Sequence, residues 1–305
     1  MIKKNTLSQR HPYFFGVALL FMAAALVTGA VAMFRSGVLG GGLGFGLSGP
    51  KFGLVRVDGV IEDSEWINQW IYTLRDDDDV VGVILRVNSP GGLVAPSQEI
   101  FEAVRDLASV KPVVASFGGV AASGGYYISA GATAIVANPA SITGSIGVKA
   151  ELLNGRELMN KIGVREEVIA SGPYKNTGSF FTPLTPPQRQ YMQDMVMDLH
   201  LQFVEDVAKA RNMPLKQVQA IANGMALTGR QALDAGLVDH LGGFEDAVGV
   251  LEDICEVPER LPFIEGPRDD APLFERFLSG VGLDLHMMQR IRRVFAAPAW
   301  VFRFQ

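Results

Sequence analysis

The sequence predicts an α/β fold, a spiral of β-β-α units, on three observations. Val80–Val87 (VVGVILRV) and Val113–Phe117 (VVASF) are nearly continuous apolar runs, as expected of strands buried on both faces. Each leads into a glycine-bearing turn followed by a helical apolar pattern. This strand–turn–helix unit recurs between Leu54 and Ile254, with polar or glycine-rich loops after the strands. Open α/β sheets bind ligands at the C-terminal ends of their strands, so those loops are where chemistry is expected.

The chain opens with Lys3, Lys4 and Arg10, then runs uncharged from Tyr13 to Phe34. As a helix that run is about 33 Å long, enough to cross a hydrocarbon core. Basic residues precede it and Arg35 alone follows closely, which predicts a cytoplasmic N-terminus and an external remainder. Ala30-Val31-Ala32 matches a signal-cleavage pattern, but the apolar run exceeds the usual h-region of about 7–15 residues. The segments are therefore read as 1–12 cytoplasmic, 13–34 transmembrane anchor, 35–50 glycine-rich linker, 51–257 folded domain and 258–305 C-terminal extension.

Within the folded domain, Lys51–Ile61 reads as a strand. Asp63–Leu74 reads as an amphipathic helix presenting Trp66, Ile67, Trp70, Ile71 and Leu74. Asp76–Asp79 puts four acids at a helix C-terminus, against the macrodipole, and is expected to be a solvated loop. Asn88-Ser89-Pro90-Gly91-Gly92 is a β-to-α turn after the Val80–Val87 strand, with a helix from Ala95 to Leu107. The Val113 strand is expected to break at Gly118-Gly119, and a third strand covers Ala132–Ala137. Asn138–Val148 shows no period. A helix over Leu152–Lys161 and a strand over Val164–Ala170 come next, then a loop, Ser171–Gly178. Pro186-Pro187 starts a long helix to about Arg211, whose stripe of Met192, Met195, Val196, Leu199, Phe203 and Val207 suits core or a subunit interface. Residues 258–305 read as weak helices apart from the core. Their Ala296-Ala297-Pro298-Ala299 is a compositional candidate for a pseudo-substrate or a trimming site.

Net charge of −5 without a basic stripe argues against nucleic acid as a partner. The single cysteine, Cys255, excludes an intrachain disulfide and a thiolate metal cluster, and no two of the four histidines sit at metal-ligand spacing. No metal or cofactor is expected.

The stretch Val113–Gly131 carries the sharpest chemical signal. Strand, small residues, Ser123, Gly124-Gly125 and an apolar helix make the local recipe for an exposed nucleophile on a tight turn. Small neighbours admit a substrate backbone, and helix-start N–H groups suit an oxyanion. A serine before an apolar helix is also an ordinary N-cap, and Ala121 stands where the G-x-S-x-G pattern has its first glycine. Lys175, beside Tyr174 and Phe180, is by itself an ordinary loop lysine.

Taken together the motifs carry a resemblance. V-N-S-P-G-G (Val87–Gly92), A-A-S-G-G-Y-Y (Ala121–Tyr127), T-G-S-I-G-V (Thr143–Val148), the loop around Lys175 and G-R-Q-A-x-x-x-G-L-V-D (Gly229–Asp239) resemble, in that order, the signal peptide peptidase A family. The resemblance spans about residues 51–254. It implies a serine endopeptidase on a fold related to Clp protease and the crotonases, so 51–257 would be a Ser–Lys protease domain. Ser123 would be the nucleophile and Lys175 the general base. Ser145 would orient the lysine, and the Gly92 and Gly124 N–H groups would form the oxyanion hole. A lysine base must be neutral, which calls for desolvation and no carboxylate partner; no acid lies between Glu167 and Asp194. His200, His240 and Lys149 are the competing bases and rank lower.

Expected substrates are apolar peptides such as remnant signal peptides, cut outside the cytoplasmic membrane. Rival readings are a protease of stomatin-type membrane proteins, a crotonase-like acyl-CoA enzyme and an inactive scaffold. Some relatives carry two such units in tandem, with serine and lysine on different units. A single-unit chain would match them only as a ring-shaped homo-oligomer with Ser123 and Lys175 from neighbouring copies.

Overall fold

The structure is a computed structural model that describes residues 49–266 and a further strand at 302–304. The expected anchor at 13–34, most of the 35–50 linker and Ala296–Ala299 lie outside the described residues. Among the described residues, no helix is long and apolar enough to cross a membrane.

The expected α/β architecture is present. The central sheet is built from β1 (Lys51–Asp58), β2 (Val80–Ser89), β4 (Val113–Ala122), β5 (Ala134–Ala137) and β9 (His240–Leu241), all parallel. β10 (Phe263–Glu265) lies parallel to β1 at one edge. β4 is long enough to serve two neighbours. Its first half pairs with β5, and its second half with β6 (Ile142–Gly144), which pairs antiparallel with β8 (Ala226–Thr228).

Alternation along each strand divides two cores. Leu54, Ile84, Val114 and Val136 face α8 (Phe244–Ile254), which adds Ala247, Val248 and Leu251. Val55, Leu85, Ala115 and Ile135 face the larger core. There they meet α1 (Glu65–Asp76), α2 (Val94–Ala108), α3 (Gly124–Ala130) and the second half of α5 (Pro186–Ala210). Burying each such Val, Leu or Ile contributes about 1.5–3 kcal/mol, and the period of two in the strands fixes which face each one fills. Phe101, Tyr127 and Phe203 stack in sequence between α2, α3 and α5, with centroids 4.9 and 4.4 Å apart.

Several expectations change. β4 runs straight through Gly118 and Gly119. The glycines make room for Asn88: a Cβ at Gly118 would stand 2.9 Å from the Asn88 side chain, whose Oδ1 accepts the Val120 N–H. Asp77 and Asp79 are not merely solvated. Lys51 pairs with both, and the Lys111 amine donates to the Leu74 and Asp77 carbonyls at the end of α1. A cation thus caps the helix that the acids alone would oppose. Trp66 faces solvent, whereas Trp70 donates its indole N–H to the Leu54 carbonyl. Only Arg156–Lys161 of the expected 152–161 helix forms (α4), and 164–170 forms no strand. Val164, Val168 and Ile169 have β propensity, but no strand among the described residues pairs with them. The segment from 258 onward adds β10 to the sheet, where Phe263 packs on Phe52 with ring centroids 5.7 Å apart.

Candidate active site

Three backbones converge where β2 and β4 end. β2 finishes at Ser89, whose hydroxyl accepts the Gly91 N–H at 3.1 Å. Gly91 takes φ +101°, a conformation open to glycine. β3 (Gly92–Leu93) then lies against Ile61: the Ile61 N–H reaches the Gly91 carbonyl, and the Leu93 N–H reaches the Ile61 carbonyl at 2.7 Å. A Cβ at Gly92 would stand 2.0 Å from the Ile61 oxygen, so the close backbone approach admits only glycine.

β4 ends beside this turn. Ser123 joins it to α3 with φ 55° and ψ −116°, a strained conformation for a residue with a side chain. The strain is held from both sides: the Ser123 N–H donates to Gly144 at 2.8 Å, and its carbonyl accepts from Tyr127 at 2.8 Å. A Cβ on Gly124 would stand 3.2 Å from the Gly92 nitrogen and 2.6 Å from Ser97 Oγ. Gly92 and Gly124 are therefore side by side next to the serine. Ser123 is 0% exposed, and its hydroxyl has no hydrogen-bond partner. A buried, strained and unpartnered hydroxyl is not an ordinary N-cap, and α3 shows no side-chain cap bond.

α3 is locked beneath. Tyr126 donates to the Leu237 carbonyl and Tyr127 to Asp206, at 3.1 and 2.5 Å. Burial pushes both phenols above their ordinary range, so they act as neutral donors.

Ser145 flanks the site through Gly144. Both residues have positive φ, and the Ser145 N–H donates to Met225 at 2.9 Å. Its hydroxyl donates to the Gly224 carbonyl at 3.3 Å, leaving its lone pairs available to an amine.

Lys175 lies in a loop tied to the start of α5 by Gln188, whose amide donates to the Pro173 carbonyl at 2.9 Å, and by the Tyr174–Tyr191 ring contact. It is exposed, and among the described residues no hydrogen bond or ion pair engages its amine. The structure thus brings Ser123, Gly92, Gly124 and Ser145 together but does not join Lys175 to the serine hydroxyl within one chain.

The competing bases fare differently. Lys149, in β7 (Lys149–Ala150), is ion-paired with Glu151 at 2.7 Å, the kind of partner a base lysine must lack. His200 lines an apolar cavity of about 410 Å³ between α5 and α6 (Leu215–Ile221), with none of the site residues, and burial lowers its pKa. His240 is an exposed residue of β9. Among the described residues no acidic, histidine or cysteine cluster could hold a metal.

Sequence reasoning missed Ile61 and Ser97. Ile61 supplies the backbone rail under Gly92, and Ser97, itself 0% exposed, packs its hydroxyl against Gly124. No local signal marks either. It also missed β11 (Phe302–Phe304), which pairs antiparallel with both β3 and β7.

The chain is similar to known peptidases. Residues 105–257 match Peptidase family S49, and residues 58–141 match Clp protease. A Synechocystis sp. protein named as a protease is 42% identical over 201 residues, covering 65% of this chain and 72% of the relative. An Enterococcus faecium protein named for signal peptide peptidase SppA is 37% identical over 224 residues, 68% of this chain and 64% of the relative. The chloroplastic serine protease SPPA of Arabidopsis thaliana is 32% identical over 222 residues, 72% of this chain but only 33% of its own length.

Proposed function

The chain belongs to peptidase family S49, and from that premise we propose a membrane-anchored endopeptidase that cuts apolar, signal-peptide-like segments with a Ser123–Lys175 dyad. The serine peptidase class rests on the family; the dyad, anchor and substrates are the further reading. The observation that carries it is the strained, buried, unpartnered Ser123 hydroxyl beside the paired Gly92 and Gly124 backbones.

In this reading a neutral Lys175 amine takes the Ser123 proton as Oγ attacks the peptide carbonyl. The Gly92 and Gly124 N–H groups receive the developing oxyanion, and Ser145 Oγ accepts a hydrogen bond from the amine. The protonated lysine then gives its proton to the leaving amine. Water, deprotonated in turn by the lysine, releases the acyl group.

Lys175 is exposed and Ser123 has no partner within one chain, which supports a dyad completed by a neighbouring copy in a ring. The segment carrying Lys175 also exposes Leu153, Leu158, Ile162 and Ile169, the last at 98%, as a surface awaiting a partner would. The anchor at 13–34 would hold the ring on the outer face of the cytoplasmic membrane. The acyl-CoA reading has no support in the family match.

A fluorophosphonate probe tests the core of the proposal. Labelling at Ser123, with loss of peptidase activity in Ser123→Ala, is the expected result. Peptidase activity that survives Ser123→Ala would end the assignment.

A further inference from the structure

We infer that Asn88 is a positioning residue: its side chain holds a bulge in β4 that sets Ser123 level with Gly92. The inference rests on the reading of Ser123 as nucleophile and Gly92 as oxyanion donor.

β4 is one continuous strand, yet its pairing with β2 changes register inside it. Val87 pairs with Phe117, and the next pair is Ser89 with Ala121. On β2, Asn88 alone therefore faces Gly118, Gly119 and Val120. Over this interval β4 carries two residues more than β2. An excess of two keeps the inward and outward faces in phase, because side chains alternate with a period of two. What it changes is reach. At about 3.3 Å per residue, an unbroken ladder would carry Ser123 roughly 7 Å farther past the β2 turn. With the bulge, Ala121 stands beside Ser89, and a Cβ on Gly124 would lie 3.1 Å from Gly91 Cα. The bulge thus brings the serine turn to the glycine turn, as bulges beside active sites re-aim a chain.

A bulge frees backbone groups from the ladder, and here side chains take them up. Asn88 Oδ1 accepts the Val120 N–H at 3.3 Å. Arg86 donates to the Phe117 carbonyl at 2.8 Å, and the Ser141 hydroxyl donates to the Gly118 carbonyl. Of these three side chains, Asn88 lies closest against the bulged glycines: a Cβ at Gly118 would stand 2.9 Å from both its Cβ and its Oδ1. Its own carbonyl accepts the Gly59 N–H at 3.0 Å, so one residue also holds the chain leaving β1.

The test removes and restores the acceptor. Asn88→Ala and Asn88→Leu should each lower kcat about tenfold, with KM within about twofold, and slow fluorophosphonate labelling of Ser123 to match. Asn88→Asp keeps an acceptor of the same shape and should stay within about threefold of the parent. Unaltered kcat in the first two, or an aspartate no better than alanine, overturns the inference. Gly118→Ala should cost as much as Asn88→Ala, because its methyl group expels the Asn88 side chain. In an Asn88→Gly background it should add no further loss. Losses that multiply overturn the inference. Leu251→Ala, in the core under α8, weakens the fold without touching the bulge. It should lower Tm and leave kcat at 25 °C unchanged. A kcat loss there as large as in Asn88→Ala would assign both to general loosening and overturn the inference.

The bulge also has a readout that needs no catalysis. In a Ser123→Ala background, hydrogen exchange at Val120 should quicken in Asn88→Ala and stay slow in Asn88→Asp. Equal exchange in the two overturns the inference. Peptidase activity that survives Ser123→Ala, with exchange responding as expected, would instead sink the serine reading and leave the clamped bulge standing.

Discussion

The serine end of the sheet and the segment that carries Lys175 are built in opposite ways. At the serine end every backbone is pinned: Gly92 rides on Ile61 with no room for a methyl group, and Ser123 is fixed by Gly144 in front and Tyr127 behind. From about 151 to 185 most residues are exposed, with no strand pairing among the described residues. Gly172 there has nothing within 4 Å of where a Cβ would stand. In the proposed dyad, the half that would receive transition-state charge is preorganised by one chain. In the same dyad, the half that supplies the base would be left for association to order. The difference teaches that the two catalytic roles place different demands on one fold.

The largest expected effects test the two ends together. Ser123→Ala and Lys175→Arg should each lower kcat by about 10⁴–10⁶-fold, because members of one catalytic unit fail together. Arginine keeps its proton and cannot act as base. Near-normal turnover in Lys175→Arg would break the comparison outright. Mixing sharpens it. Ser123→Ala and Lys175→Ala, each dead alone, should recover roughly one quarter of the sites when co-assembled in a head-to-tail ring. Zero recovery, with exchange of subunits verified by mass, would return the dyad to a single chain.

Glycine substitutions should separate the regions by stability. Gly92→Ala should destabilise by about 3 kcal/mol or more, since backbone rather than a flexible side chain is in the way. Gly172→Ala should stay within about 0.5 kcal/mol. Denaturant melts of the two variants decide this, and similar losses would contradict the contrast. Ser123→Gly should kill activity while raising stability by about 1 kcal/mol, because glycine relieves a strained φ at some entropic cost. Ser145→Ala should reduce kcat by only about tenfold if that hydroxyl orients the amine without taking the proton.

The smallest effect is electrostatic. The Lys51 ammonium beside Asp77 holds that carboxyl below its ordinary pKa. A depressed carboxyl contributes stability above its unfolded pKa of about 3.9 and loses it as pH falls through the lower folded value. Lys51→Ala should therefore lower Tm at pH 6 and have little effect on it near pH 2. An undiminished difference at pH 2 would assign it to packing.

Much of this was legible in the sequence where several residues act through one local period. The β2 run, the Val113–Phe117 start of β4, the helix from Pro186, and the turn glycines at 91–92 and 124–125 stand as read. What escaped depends on partners far along the chain. Strands of two or three residues such as β3, β7, β10 and β11 carry no period, and only their neighbours make them strands. The stretch at 164–170 is the converse: its Val and Ile residues suit a strand, yet no strand among the described residues pairs with it. Ser123's φ was illegible too, since neighbouring strands impose it.

The β1–β10 pairing bears on how the chain reaches its fold. Arg56 and Glu265 are 209 positions apart and meet at 2.5 Å across the edge strands. Loop-closure entropy rises with the logarithm of the intervening length, so this contact is among the least favourable to make first. It should form last, on a sheet already built. Until then the outer edge of β1, with Phe52 uncovered, presents unpaired amides and apolar surface to other nascent chains. A chain emerging N-terminus first would hold that edge open while everything up to residue 263 is delivered. Shielding during this interval, by a chaperone or by slow release, would then govern how much protein matures and how much aggregates.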